Sequence, residues 1–581
     1  MTDLYPSPED ESFRRDFEEI VGRTREFSTK YHGKISSMNP AELFVAVSEY
    51  EQINETVRRL GAYTHLHWTT DTLDQQRGSL LQRVRERITQ AWQHMIFFDT
   101  EFNQLSDEEA QVFISAPELT KYASWLEGVR LYKNHTLTEA EEKILSEKSV
   151  TGRQAWVRYF DEVLNSLSFP FEGRKLSQGE ILAKLYSADR SVRKKAVEIF
   201  STELKKISRT QAYIFNTVLA DCASNDRLRN FPSWISARNL NNEISDEAVE
   251  ALVSTVRSRY DIVGRFYTLK KKLLGLEELY EWDRYAPVSE SEEFWTWDEA
   301  RELVTDSYAT FLPEFGSIVR EFFDKKWIDG PPKHGKRSGA FSASTVPSVH
   351  PYIMMNYTGR TRDVQTLAHE LGHGVHQYLS RSQGLLNADT PLTLAETASI
   401  FGEMMVFSRL LEATKSEKEK LWLLMDKIDD TVATVFRQIS LNRFEHSIHT
   451  ARRSEGELSI ERLSELWLKN SQEMFGDSVT LTDNYGIWWS YISHFIHTPG
   501  YVYAYSFGEL LVLALYEKYK QEGDSFKEKY RTLLSSGGSQ RPEILLAPMG
   551  VDVNDPEFWH QGLALIEGLV TEAEMIAERL L

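Results

Sequence analysis

The sequence predicts a mainly α-helical protein with one small patch of sheet, and three observations predict it. Apolar residues recur at three- and four-residue steps over long tracts of the 581 positions. Helix breakers are few, 30 Gly and 17 Pro. They gather around 327–352, and that stretch also holds the best runs of β-branched and aromatic residues. Taken in order, amphipathic periodicity runs through 40–105, 136–165, 178–222 and 245–274. Thr138 and Glu141 form a capping box that opens the second of these tracts. GAFSAS and PYIMMNY, inside and just after the broken stretch, read as short strands. A helix follows on which Val364, Leu367, Ala368, Leu371, Val375, Tyr378 and Leu379 share a face. Asp363 and Thr366 favour its start, and Gly384 lies just past its end. LTLAETASIFGEMMVFSRLL is a second amphipathic helix, and 410–450 carries the pattern on. No internal repeat or low-complexity tract interrupts the chain.

Composition narrows the class. The length suffices for several cores. A formal charge of −20 argues against nucleic acid or an anionic membrane as the main partner. Cys222 stands alone, which excludes an internal disulfide framework and suits a reducing compartment. The opening MTDLYPSPEDESFRRD has no basic-then-apolar signal pattern, and no run of about 18 apolar residues could span a bilayer. Cytoplasm is the expected location.

The chemistry concentrates in His369-Glu370-Leu371-Gly372-His373. Two imidazoles four residues apart on a helix project from one face and can grip one divalent metal, and the carboxylate between them can reach a water on that metal. Chance alone places this pattern in about one chain in thirty of this composition, so a third ligand must be sought. A His six residues after His373 would serve, but that position is Leu379. His376 shares the face of His373 and cannot easily join two ligands already four apart, so it reads as core or support. Asp389, in Asn387-Ala388-Asp389-Thr390-Pro391, is explained by turn chemistry. Glu396 opens the second amphipathic helix, and Glu403 lies two turns on along the same face. Glu396 has two readings: the closing residue of a capping box with Thr393, or the third ligand of a two-His-one-Glu zinc site. Glu403 is either an ordinary polar residue at the helix edge or the acceptor that fixes a ligating imidazole.

HELGHGVHQYL followed by LAETASIFGE resembles the metal site of the thimet oligopeptidase and oligoendopeptidase F family, closer to its bacterial oligoendopeptidase F branch. KKLLGLEELYEWDRYAPV, KRSGAFS, PYIMMNYTGRTRDVQTLAHELGH and HFIHTPGYVYAYSFGE are similar to segments of that branch. The resemblance covers roughly 200–581, and the helical N-terminal part more loosely. It implies two helical lobes around a deep substrate channel, with a small β-sheet next to the metal helix. It implies an N-terminal helical domain over 1–200 and a catalytic zinc metallopeptidase domain over 201–581. It also implies one zinc per chain and cleavage of short, flexible peptides.

The expected reaction follows from the residues. Zinc on His369, His373 and Glu396 leaves one position open for water, lowering that water's pKa from about 15.7 toward about 7. Glu370 takes the proton as water attacks and can hand it to the leaving amine. The oxyanion needs a fixed donor besides the metal, and Ser493–Tyr505 offers His494, His497, Tyr501, Tyr503 and Tyr505. Aromatic core packing is the bland alternative for this run. Thr498-Pro499-Gly500 marks a turn and the phenols alternate, which suits a cleft-lining loop. In the family, a His and Tyr residues of the corresponding segment contact oxyanion and substrate. His494 matches that His, Tyr501 and Tyr505 match less closely, and His497 is a rival to His494. Gly339-Ala340-Phe341 is either an edge to which an extended peptide adds as a strand or a plain hairpin edge. Lys336, Arg337 and Arg360 either meet a peptide carboxylate or face solvent. The expected function is a zinc oligoendopeptidase. Its rivals are a carboxypeptidase or dipeptidase on the same site and a catalytically idle peptide-binding protein.

Overall fold

The computed structural model describes residues 1–288 and 294–581. Helix accounts for 72% of the structure and strand for 3%, as the periodicity predicts. The described strands are β1 (Phe169–Phe171), β2 (Arg174–Leu176), β3 (Ile328–Asp329), β4 (Phe341–Ala343) and β5 (Tyr352–Met354). The chain divides into two compact units that alternate along the sequence: residues 1–146, 293–409 and 518–551 in the first, residues 147–292, 410–517 and 552–581 in the second. No described helix is long and apolar enough to cross a membrane.

In the first unit, the helix Pro40–Thr69 starts where Asn39 and Glu42 form a reciprocal capping box ahead of a proline at the first helical position. Its stripe of Leu43, Val47, Tyr50, Ile53 and Val57 is buried with Phe27, Phe97, Phe98 and Leu119. The sheet of this unit has the order β3-β5-β4, with β3 parallel and β4 antiparallel to β5. β4 is therefore an edge strand, formed by the GAFSAS run, and β5 comes from PYIMMNY. Lys336 ties this sheet internally, donating to the carbonyls of Asp329, Pro331 and Met355 and to the Asp329 carboxylate.

The metal helix, Thr361–Ser380, follows β5. Asp363 accepts from the backbone amides of Thr358 and Arg360 to fix its start, and Gly384, at φ +80°, lies just past the short 3-10 turn that ends it. Val364, Leu367, Ala368, Leu371 and Val375 are fully buried, as their spacing predicts. The helix Thr397–Ala413 crosses it at van der Waals distance. A Cβ added to Gly372 would lie 2.6 Å from Ser399 Cα, and one added to Gly402 would strike the Tyr308 hydroxyl. That hydroxyl donates to the Ala368 carbonyl at 2.7 Å, and Tyr530 likewise donates to the Thr397 carbonyl at 2.8 Å.

The second unit is built on the 39-residue helix Arg190–Leu228, capped by Asp189. Phe200, Leu204, Phe215 and Val218 pack around Trp467, Trp488 and Trp489. The Trp488 indole donates to Ser201 at 2.9 Å, so the polar edge of a fully buried ring is satisfied. Asp283, wholly buried, takes ion pairs from Arg190 and Arg193 at 2.8 Å each. The one-turn helix His494–His497 belongs here, as does the helix Tyr503–Glu522 up to Glu517. The expected loop over 494–505 is thus corrected. Only 498–502 is non-helical, and Tyr503 opens a helix whose next turns are almost completely buried.

Candidate metal centre

His369 and His373 project from one face of the metal helix, their rings 4.8 Å apart and nearly perpendicular. Glu396 sits at the break between the turn Leu392–Ala395 and the helix Thr397–Ala413. Thr393 lies inside that turn rather than before it, so it is not the N-cap that a capping box with Glu396 requires. Glu396 Oε2 lies 3.4 Å from His369 Nε2 and 3.4 Å from His373 Nε2. Two ligands about 2.0–2.1 Å from a tetrahedral ion stand about 3.3–3.4 Å apart, so the spacing fits one zinc-sized cation. Among the described residues, these three form the one group of His, Cys, Asp and Glu gathered closely enough to hold a metal.

The surroundings hold these ligands in place. Glu403 Oε1 lies 2.6 Å from His369 Nδ1, and Ser399 Oγ donates to Glu396 Oε2 at 2.6 Å. The first contact fixes the ring so that Nε2 faces Glu396, as carboxylate partners of metal-binding imidazoles do. Glu403 therefore does more than an ordinary edge residue. Burial pulls His369 down, but the bond to Glu403 and the charges of Glu396 and Glu370 outweigh it and raise the ring to about 9. Burial lowers His373 to about 4. Glu370 is buried, and the nearby backbone amide of Ser342 in β4 favours its charged form. Its Oε2 has no hydrogen-bond partner, and burial pushes the carboxyl up to about 7. A buried carboxylate with one orphaned oxygen, beside a metal-sized gap, is placed to accept a proton from a molecule entering that gap.

The remaining sequence candidates separate cleanly. His376 is 4% exposed, and burial lowers its imidazole to about 3. Asp389 is ion-paired to Arg58. Lys336 is committed to the sheet acceptors described above and its side chain is 1% exposed, so both alternatives for it, a peptide carboxylate and solvent, are corrected. Arg337 lies over Phe341 and against His65. Arg360 caps the metal helix. Neither the contact of Ser399 nor that of Tyr308 was expected from the sequence. A serine three positions after a carboxylate on a helix was the available signal for the first.

In the second unit, the structure brings His494, Tyr501 and Tyr505 together. His494 Nε2 is 3.3 Å from the Tyr505 hydroxyl, the rings of His494 and Tyr501 are parallel at 6.3 Å, and Tyr501 meets Tyr505 edge-on at 5.0 Å. His497 turns away to Asp161 at 2.9 Å, and Tyr503 is buried with its hydroxyl bonded to Asn242. The turn between them is pinned by Glu445, which accepts from the Gly500 amide at 2.8 Å.

The profile of peptidase family M3 matches residues 183–565, and that of oligopeptidase F matches residues 101–169. The chain is 29% identical to the oligopeptidase PepF of Bacillus subtilis strain 168, over 99% of this chain and 86% of that protein. A crystal structure of a protein from Chlamydophila abortus superposes with a TM-score of 0.84 at 26% identity, covering 99% of this chain and 97% of the other. The crystal structure of oligoendopeptidase-F from Enterococcus faecium, 24% identical, has the same fold with a TM-score of 0.76 and covers 98% of this chain and 99% of its own.

Proposed function

We propose, from the premise that this chain belongs to peptidase family M3, that it is a zinc-dependent oligoendopeptidase cutting internal bonds of short, unstructured peptides. The observation that carries the reading is the equal 3.4 Å spacing of Glu396 from both imidazoles, with the orphaned oxygen of Glu370 beside it. Bound by His369, His373 and Glu396, one zinc per chain would supply a Lewis acid and make water nucleophilic near neutral pH. Glu370 accepts the proton of the attacking water and returns it to the leaving amine. Glu403 keeps His369 oriented throughout. The free edge of β4 offers its backbone to an extended peptide, and a folded protein cannot present itself that way. We retain His494, Tyr501 and Tyr505 as the oxyanion donors, supported by their mutual geometry. Loss of one such donor typically costs about 3–4 kcal/mol. We keep the division into a helical domain over 1–200 and a catalytic domain over 201–581 as one of sequence families, since one profile ends at residue 169 and the other begins at 183, while the compact units cut across it. A cytoplasmic location is supported by the single cysteine.

The test combines zinc content with digestion of a peptide ladder by wild type and Glu370→Gln. The expected result is about one zinc in each protein and internal cuts by wild type alone, in peptides of roughly 5–20 residues with both ends blocked. Cutting that requires a free terminus assigns the site to a carboxypeptidase or dipeptidase instead. Full activity of Glu370→Gln overturns the mechanism.

A further inference from the structure

A cavity of about 320 Å³ opens in the first unit beside His373 and Ala395. Its other walls are the segment just after β4, the last turns of the metal helix, the 388–390 turn and Arg58 of the helix Pro40–Thr69. Three of its side chains are unusual company in a chain of net charge −20. Arg381 reaches it from the end of the metal helix, held by the face of the Tyr378 ring at 3.7 Å and by the Val349 carbonyl at 3.3 Å. Arg58 reaches it from the opposite side, paired to Asp389. His376 lines it too, and its buried Nε2 has no hydrogen-bond partner. Two guanidiniums against one carboxylate leave the cavity net positive, while the sealed Nε2 of His376 backs its wall.

We propose that this cavity is a specificity pocket for an acidic side chain of the peptide, on the amino side of the bond that is cut. Arg381 and Arg58 meet its carboxylate. The inference rests on the peptidase reading above and adds a substrate class to it. The side follows from strand direction. The Ser342 amide of β4 lies close enough to Glu370 to favour its charge, so the scissile bond lies near Ser342. A peptide that adds antiparallel to β4, as β5 does on the other edge, runs opposite to it. Ser344 and Thr345, which follow β4 and line the cavity, then face residues that precede the cut. A strand rises about 3.3 Å per residue, so the acidic residue stands two or three positions before the bond.

The test uses the zinc-loaded full-length protein and one parent peptide, cut at a single bond. Glu, Gln and Lys are scanned through three positions on each side of it, and kcat/KM values are read in competition. The same peptides are bound to zinc-loaded Glu370→Gln, which gives Kd without turnover. Wild type is expected to favour Glu over its Gln isostere by about tenfold at one position on the amino side, the scale of a charge-assisted contact in a partly open site. Arg381→Gln is expected to lower that ratio, and Arg381→Glu to invert it in favour of Lys, a gain that a misfolded variant cannot show. Equal rates for Glu, Gln and Lys at every amino-side position, or a ranking untouched by Arg381→Glu, overturn the pocket and leave the peptidase reading standing. If wild type cuts none of the peptides, the peptidase reading fails, and the Kd ranking then supports or overturns the pocket by the same criteria.

Discussion

His369 sits between two carboxylates, Glu403 at its Nδ1 and Glu396 near its Nε2. Against burial, these carboxylates raise the ring to about 9, and the proton it then holds occupies the place of a cation. Metal binding needs the Nε2 lone pair, so below about pH 9 the incoming ion must expel that proton. Zinc uptake at pH 7–8 is therefore expected to release about one proton from this ring, with affinity rising about tenfold per pH unit until the ring's own titration is complete. Calorimetry in buffers of different ionisation enthalpy reads the proton count directly. Glu403→Gln removes the first-named source of the rise, so the slope should flatten near neutrality while affinity at high pH falls about 10–100-fold. An unchanged slope in that variant contradicts the assignment of Glu403. The histidine pair was legible in the sequence because four-residue spacing on a helix fixes a geometry. Glu403 was left with two readings, since its contact depends on how closely two helices cross.

That crossing is an element-scale property. Gly372 and Gly402 remove the side chains that would hold the metal helix away from Thr397–Ala413, and Tyr308 fills the notch beside Gly402. No linear pattern joins Tyr308 to residues 60 or more positions away, so its role was not legible. The alternating phenols misled in a different way. Tyr503 and Tyr505 are two residues apart, about 200° around a helix, so one is buried against Asn242 while the other meets His494. Period two reads as loop or strand, yet here it marks opposite faces of a helix start. The preceding turn depends on Glu445, which burial raises from 4.5 to about 8 while the Gly500 amide and Arg238 pull the other way. Between those two values the folded state holds a proton that the unfolded chain has lost. Stability is then unaffected by this group below about pH 4.5, falls by about 1.4 kcal/mol per pH unit as pH rises through the window, and levels off above 8. Glu445→Gln keeps an acceptor for Gly500 and removes the titration. Its melting temperature should fall less than that of wild type between pH 5 and pH 8. Parallel pH profiles for the two proteins would assign the charge elsewhere.

At the scale of the whole molecule, each unit has its own buried aromatic nucleus, Phe27, Phe97 and Phe98 in the first and Trp467, Trp488 and Trp489 in the second. The helices were legible because each carries an apolar stripe, but their grouping was not. One amphipathic stripe resembles another, and the chain leaves and re-enters the first unit twice. His369, His373 and Glu396, the proposed metal ligands, and Glu403 lie in that first unit. A ligand that binds only the folded state stabilises whatever opening disrupts its site, by about 2.7 kcal/mol at a hundred times its Kd. Zinc should therefore slow amide exchange in Thr361–Ser380 and in the first turns of Thr397–Ala413, about a hundredfold where exchange requires the site to open. Amides of Arg190–Leu228 and Ile460–Phe475, which pack around the tryptophan nucleus, hold no ligand and should exchange at nearly the same rate with and without the metal wherever local opening governs them. Hydrogen exchange followed peptide by peptide, before and after chelation, measures both sets at once. Uniform slowing of the two sets would mean that the units open as one cooperative body, and the local account of metal stabilisation would have to be given up.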